Sequence, residues 1–282
     1  MVHDPRAVLT RPAPPPDLTV AYGAHPDQVA DVRLPPGSAS GPLLLFLHGG
    51  FWRSAYDRTH VGPLAADLAG RGYPVATLEY RRTGAPDGGW PATLDDVAAA
   101  VRAVPALIAQ ATDRLVGERA SRPSGPAGAA GCVLAGHSAG GQLALWAAAG
   151  LARDDPPVHV PVLALAPVAD LARAYALDLD GGAVAALLGG GPTDVPDRYA
   201  MADPTARLPL GVPVALVHGS DDRQVPVEFS RSFTARARAH GDHVTYRELH
   251  GVDHFGLIDP QSSAWPAVLA ALDAVAPRAE QR

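Results

Sequence analysis

The sequence predicts an α/β domain, with a mostly parallel sheet of about eight strands, helices on both faces and a small cap insert. Three observations carry this. Apolar runs of strand length alternate with longer runs of helical spacing along most of the 282 residues, the pattern of repeated crossover units. Several runs, such as residues 42–47, are apolar throughout and suit strands buried on both faces. The pentapeptide Gly136-His137-Ser138-Ala139-Gly140 joins one such run to a run of Ala/Leu spacing. That places a serine at a tight strand-to-helix turn.

Taken in order, the proline-rich residues 1–17 read as a flexible arm, and residues 18–282 as one domain. Residues 18–22 and 29–34 read as two short strands around the turn residues Gly23, His25 and Pro26, hence an antiparallel hairpin. The buried run 42–47 follows, then a helix over 56–71, a strand over 74–80 and a loop over 81–91. A helix over 93–111 leads to a Ser/Pro/Gly-rich surface loop over 121–128 and the strand 131–135. The helix after the serine spans 142–151, and another strand 158–166. Residues 170–210, with Gly181-Gly182, Gly189-Gly190-Gly191 and four prolines, break the alternation. Such an insert above the carboxyl ends of the strands makes a cap. Strands over 212–218 and 244–250 and helices over 226–240 and 260–275 complete the series.

Composition sets outer bounds. Hydrophobic residues make up 47% and charged residues 18%, as in a globular domain. The net charge of -6, without a basic cluster, argues against nucleic acid as a partner. No apolar run reaches the length of a membrane span and the first residues lack a signal-peptide pattern, so the expected location is cytoplasmic, with no membrane partner. Cys132, on the strand before the serine, is a lone thiol and reads as structural.

The turn around Ser138 needs glycine on either side, because strand and helix approach too closely for side chains. A serine hydroxyl also needs a base, and the base needs an orienting group. Two later loops supply them. His218-Gly219-Ser220-Asp221-Asp222 follows a buried strand, and Asp222 stands at the first position of D-x-x-V-P, where Val225 and Pro226 open a helix. Asp222 is therefore preferred to Asp221, which would face solvent or tie the loop. In His250-Gly251-Val252-Asp253-His254-Phe255, His254 lies deeper in the loop than His250 and is the expected base. Their spacing would suit a metal only on a helix, so no metal or other cofactor is expected. The order Ser, Asp, His separates this arrangement from the two other familiar triad orders. Oxyanion donors are expected from the N–H groups of Ala139, at the helix start, and of Gly50 and Phe51 in His48-Gly49-Gly50-Phe51-Trp52.

These motifs resemble the α/β-hydrolase superfamily over about residues 18–275. Within it, His48-Gly49-Gly50-Phe51-Trp52 is similar to the HGGxW motif of kynurenine formamidases (arylformamidases). The stretches Tyr22-Gly23-Ala24-His25-Pro26-Asp27-Gln28 and Glu79-Tyr80-Arg81 are similar to formamidase-like members. The resemblance implies a metal-independent serine hydrolase releasing a formyl group from N-formylkynurenine or a similar aryl formamide. A short-chain carboxylesterase is the alternative, and a non-catalytic binding protein of the same fold a remote one. For a flat leaving group, Trp52, Tyr80, Trp90 and Phe255 are the expected substrate-binding aromatics, and Arg53, Arg81 or Arg82 could meet a carboxylate. The expected partner is thus a small-molecule substrate, and a homodimer is left open.

Overall fold

The apolar runs assemble into one eight-stranded sheet in a computed structural model that describes residues 4–116 and 131–276. The strands are β1 (Leu18–Ala21), β2 (Val29–Arg33), β3 (Leu43–Leu47), β4 (Val75–Leu78), β5 (Cys132–His137), β6 (Val162–Leu165), β7 (Val214–Gly219) and β8 (Val244–Leu249). Their order across the sheet is β1-β2-β4-β3-β5-β6-β7-β8. β1 pairs antiparallel with β2, and β2 with β4. Every pairing from β4 through β8 is parallel. The loop expected over 121–128 lies outside the described residues.

The alternation of side chains along each strand sorts the core into two layers. Leu45, Leu47, Leu78, Leu134 and Leu216 point into one, with helices α2 (Ala92–Val116) and α3 (Ala139–Leu151). Leu44, Phe46, Val133, Leu165 and Val217 point into the other, with α1 (Gly62–Gly70) and α8 (Trp265–Val275). Helix α2 seats on the sheet through Val97, Val101, Val104 and Ile108, spaced by four, three and four residues and all buried. A fully buried valine or isoleucine of this kind contributes about 1.5–3 kcal/mol through removal of apolar surface from water. Helix α7 (Glu228–Ala239) covers the sheet beside β7 and β8.

The insert expected over 170–210 folds as three short helices, α4 (Leu171–Ala176), α5 (Ala183–Leu188) and α6 (Pro196–Ala202), followed by a 3-10 turn Pro204–Arg207. The N-terminal segment departs from the expected flexible arm. Residues Pro5–Thr10 form a 3-10 helix in which the Asp4 carboxylate accepts the Arg6 backbone N–H at 2.9 Å. Val8 is buried in the layer that holds α1 and α8, and Arg11 forms a two-pronged ion pair with Asp259. One apolar anchor and one ion pair, to a residue 248 positions away, order a segment whose composition alone suggests none.

All the parallel strands present their carboxyl ends to one edge, where open α/β sheets place their ligands. Leu47 pairs with Gly136, so the loop after β3 lies beside the turn after β5. The turns after β7 and β8 are neighbours for the same reason.

Candidate active site

Ser138 sits between β5 and α3 with φ 59° and ψ -121°, a left-handed backbone that an L-residue adopts only where its surroundings impose it. The imposition is visible. A Cβ at Gly136 would lie 2.2 Å from the Gly140 carbonyl oxygen, and one at Gly140 would lie 2.0 Å from that of Leu47, so neither position accepts a side chain. The Ser138 N–H donates to the Leu165 carbonyl at 2.8 Å, and its own carbonyl accepts from the N–H groups of Gln142 and Val168, each at 3.2 Å. The turn is thus tied to α3, β6 and the segment after β6.

The loops after β7 and β8 meet as their order in the sheet requires. His254 Nδ1 lies 2.5 Å from Asp222 Oδ2. Asp222 Oδ1 accepts the N–H groups of Gln224 and Val225, both at 2.8 Å, which fixes the carboxylate plane. Asp221 stays exposed and accepts the Ser220 hydroxyl. A residue that local reading passed over completes this arrangement. His218, fully buried at the end of β7, has Nε2 3.0 Å from the Val225 carbonyl and 3.2 Å from Asp222 Oδ2, with Nδ1 2.6 Å from the Ser230 hydroxyl. Its Nε2 is the donor, since both neighbours there are acceptors. Burial alone would raise the Asp222 pKa, but hydrogen bonds from His218 and His254 outweigh it and hold the carboxyl well below its usual range. Asp222 is therefore ionised at neutral pH. The only sequence signal for His218 is a histidine ending a buried strand four residues before the acid.

His137 stacks obliquely on His254, with ring centroids 4.3 Å apart, and its Nε2 lies 3.0 Å from the His254 carbonyl oxygen. Burial, and then the neighbouring His254, push its pKa well below the ordinary value, so its imidazole is neutral and braces His254. Phe255 packs edge-on against the His254 ring at 5.3 Å. Ser138 and His254 line one cleft that is open to solvent. Gly50, Phe51 and Phe255 line the same cleft.

The loop after β3 runs through three consecutive left-handed residues, Gly50, Phe51 and Trp52, with φ of 107°, 49° and 56°. It comes so close to the serine turn that a Cβ at Gly49 would lie 3.1 Å from that of Ser138. Ala139, the first residue of α3, directly follows Ser138, and the N–H groups of a helix's first turn have no partner within the helix. His48, at the base of the loop, lies 2.8 Å from buried Glu79 through Nε2 and 2.8 Å from the Gly49 carbonyl through Nδ1. Burial opposes the charge on Glu79, but His48 and Arg82 outweigh it and hold that carboxyl below its usual range. The backbone bearing the expected oxyanion donors is thus held by a buried ionic network.

The expected substrate-binding aromatics divide. Phe255 lines the cleft, but Trp52 and Tyr80 do not; both are fully buried struts. Trp52 Nε1 donates to Gln142 Oε1 at 3.1 Å, and Gln142 donates to the Ala202 carbonyl, which links the loop to α3 and the end of α6. The Tyr80 ring stacks on His48 at 4.5 Å and its hydroxyl donates to the His48 carbonyl. Trp90 is half-buried against the core, and its backbone N–H donates to Leu187. None of the three expected arginines is free: Arg53 pairs with Asp180, Arg81 chelates Asp96, and Arg82 pairs with Asp27 and Glu79. Among the described residues no group of three or more potential metal ligands occurs. No described helix is long and apolar enough to cross a membrane.

His60 lines the cleft, is buried, and has no hydrogen-bond partner for Nδ1 among the described residues. Burial, reinforced by His48, pushes its pKa down to about 4. An unfolded histidine titrates near 6.5, so below that pH the unfolded chain takes a proton that the folded one refuses. Stability from this group is complete above pH 6.5 and is lost as pH falls towards 4, a loss on the order of 3 kcal/mol. His60→Phe keeps the ring and cannot titrate. Urea unfolding at pH 7 and pH 4.5 should therefore show a smaller acid loss than in the unsubstituted protein, although His137 still contributes in the same direction. An equal loss in both would exclude His60 as an acid-labile group.

Residues 44–257 match the family described as alpha/beta hydrolase fold. The chain belongs to that family. Esterase LipC of Mycobacterium tuberculosis is 29% identical over 270 residues, and the match takes in 85% of this hydrolase-fold chain and 60% of the relative. The chain thus spans about three-fifths of that relative's length. Among solved structures, esterase B from Lactobacillus rhamnosis superposes with a TM-score of 0.70 at 18% identity, over 96% of this chain and 90% of the other. A truncated carbohydrate esterase from gut microbiota gives 0.68 at 18%, over 92% and 99%. A thermophilic esterase from Thermogutta terrifontis gives 0.66 at 20%, over 91% and 92%. At these identities the likenesses establish the fold.

Proposed function

We propose that the protein is a serine carboxylesterase that cleaves esters of short acyl groups. The observation that carries this reading is the placement of strained Ser138 in one cleft with His254, whose Nδ1 is hydrogen-bonded to the buried, ionised Asp222. Asp222 keeps the Nδ1 proton on His254, so Nε2 is the basic nitrogen available to the cleft. Ser138 Oγ attacks the ester carbonyl and gives its proton to His254. The oxyanion is met by the N–H groups of Gly50, Phe51 and Ala139, each worth about 3–4 kcal/mol of barrier in comparable sites. His254 then protonates the departing alcohol, and water repeats the sequence on the acyl enzyme.

Two considerations favour an ester with a short acyl chain. The similar proteins named above are called esterases, and Phe51, a bulky side chain, lines the cleft at the expected oxyanion loop. An aryl formamide, the substrate implied by the HGGxW resemblance, has an equally small acyl group. The aromatic struts Trp52 and Tyr80 lend that reading no support, because neither faces the cleft. For the esterase, kcat/KM for 4-nitrophenyl acetate and butyrate should exceed that for 4-nitrophenyl decanoate by about 100-fold or more, as substrate discrimination of a few kcal/mol gives. It should also exceed that for N-formyl-L-kynurenine. A formamide favoured by orders of magnitude would replace the ester reading with the formamidase one.

A further inference from the structure

The N-terminal helix brings to the cleft a cation that the protein's own carboxylates leave unanswered. Arg6 is exposed on the 3-10 helix Pro5–Thr10 and lines the same cleft as Ser138 and His254. Its guanidinium lies over the Phe255 ring, 5.7 Å from the centroid, and that ring packs edge-on against His254. One aromatic ring therefore separates a guanidinium from the base. Among the described residues no carboxylate lies within ion-pair distance of Arg6. The acid that shares the cleft, Asp180, is already paired with Arg53. The helix is anchored by buried Val8 and by the Arg11–Asp259 ion pair, so the position of Arg6 is tied to the domain.

We infer that Arg6 binds a carboxylate on the leaving group of the substrate, which makes the substrates small esters of an alcohol or phenol that bears an acidic group. The leaving-group side follows from the two ends of the site. The carbonyl oxygen turns to the Gly50–Phe51 loop, whereas the departing oxygen is protonated by His254, and Arg6 lies beyond the ring packed on His254. A guanidinium forks to both oxygens of a carboxylate, and stacking on an aromatic face orients it without consuming its donors. This inference deepens the esterase reading and takes the direction of the substrate from it.

The test uses a pair that differs in charge, anionic 4-acetoxybenzoate and its neutral methyl ester, with the same acetyl group and the same aryl ring. In the unsubstituted protein the ratio of kcat/KM for the acid over the ester is set by Arg6. Arg6→Ala should lower that ratio about tenfold through KM, Arg6→Glu should lower it further, and Arg6→Lys, which keeps the charge but loses the planar fork, should fall between the parent and Arg6→Ala. Added salt should erode the ratio in the unsubstituted protein and not in Arg6→Ala. A ratio equal in all four proteins, or one insensitive to salt, overturns the inference. If neither compound is hydrolysed, the esterase reading fails by itself, and titration calorimetry with 4-hydroxybenzoate then decides the role of Arg6. A Kd raised about tenfold in Arg6→Ala supports the carboxylate site, while an unchanged Kd or no binding to the unsubstituted protein overturns it.

Discussion

Ser138→Ala is expected to lower kcat/KM for 4-nitrophenyl acetate by about 10⁵- to 10⁶-fold, leaving the residual rate that oxyanion donors and binding supply. The fold should survive. Alanine meets the same left-handed φ of 59° as serine, and the turn is held by backbone hydrogen bonds from Ser138 to Leu165, Gln142 and Val168 that do not involve the hydroxyl. Far-ultraviolet circular dichroism and the melting temperature should therefore match the unsubstituted protein. A fluorophosphonate should add to Ser138 in the parent and leave the variant unmodified by mass spectrometry. A folded variant that keeps more than about 1% of the rate would remove Ser138 as nucleophile, and with it the esterase reading.

The fold was legible because its central strands are buried on both faces. Residues 42–47 and 212–218 have no polar face to confuse with a helix, and the strands observed, Leu43–Leu47 and Val214–Gly219, agree within two residues at each end. Helix α3 begins at Ala139, three residues before the expected start, because Gly140 and Gly141 look like turn residues. Those glycines are helical for a packing reason: a Cβ at Gly140 would strike the end of β3, and one at Gly141 would meet Pro167. The N-terminal helix escaped detection since its order comes from Val8 and Arg11, whose partners are distant in sequence.

The candidate site was legible wherever a candidate residue sits in a loop at the end of a buried strand. Ser138, Asp222 and His254 each follow a parallel strand, and the topology brings them to one edge of the sheet. Side-chain direction was not legible. In a loop with three successive left-handed residues, the aromatic that turns inward cannot be told from the one that turns to the cleft, and Trp52 turns inward. Nor does local pattern reveal pairings such as Arg53 with Asp180, 127 residues apart. His60 and Arg6 enter the cleft by such long-range packing, and nothing in their immediate sequence marks them.

Asp222→Asn should lower kcat/KM by about 10,000-fold with little change in shape, because it disables the base by reversing its tautomer. Both oxygens of Asp222 are committed: Oδ1 to the N–H groups of Gln224 and Val225, and Oδ2 to His254 and His218. An amide has one acceptor oxygen for these two sides. If that oxygen stays on the backbone N–H groups, the amide NH₂ faces two imidazoles that each present an N–H. His254 can relieve the clash by moving its proton to Nε2, where it confronts Ser138 as a donor and cannot act as a base. His218 has less freedom, since its Nε2–H also serves Val225 and its Nδ1 lies beside Ser230, so the variant should lose about 1–3 kcal/mol of stability for the mismatched buried donor. Asp221→Asn, at the exposed neighbouring acid, should stay within about twofold of the parent rate, as surface substitutions usually do. Equal losses at the two positions would show that the loop, and not the carboxylate on His254, sets the rate. An inactive Asp222→Asn beside a near-normal Asp221→Asn would assign the orienting role to the acid shared by His218 and His254.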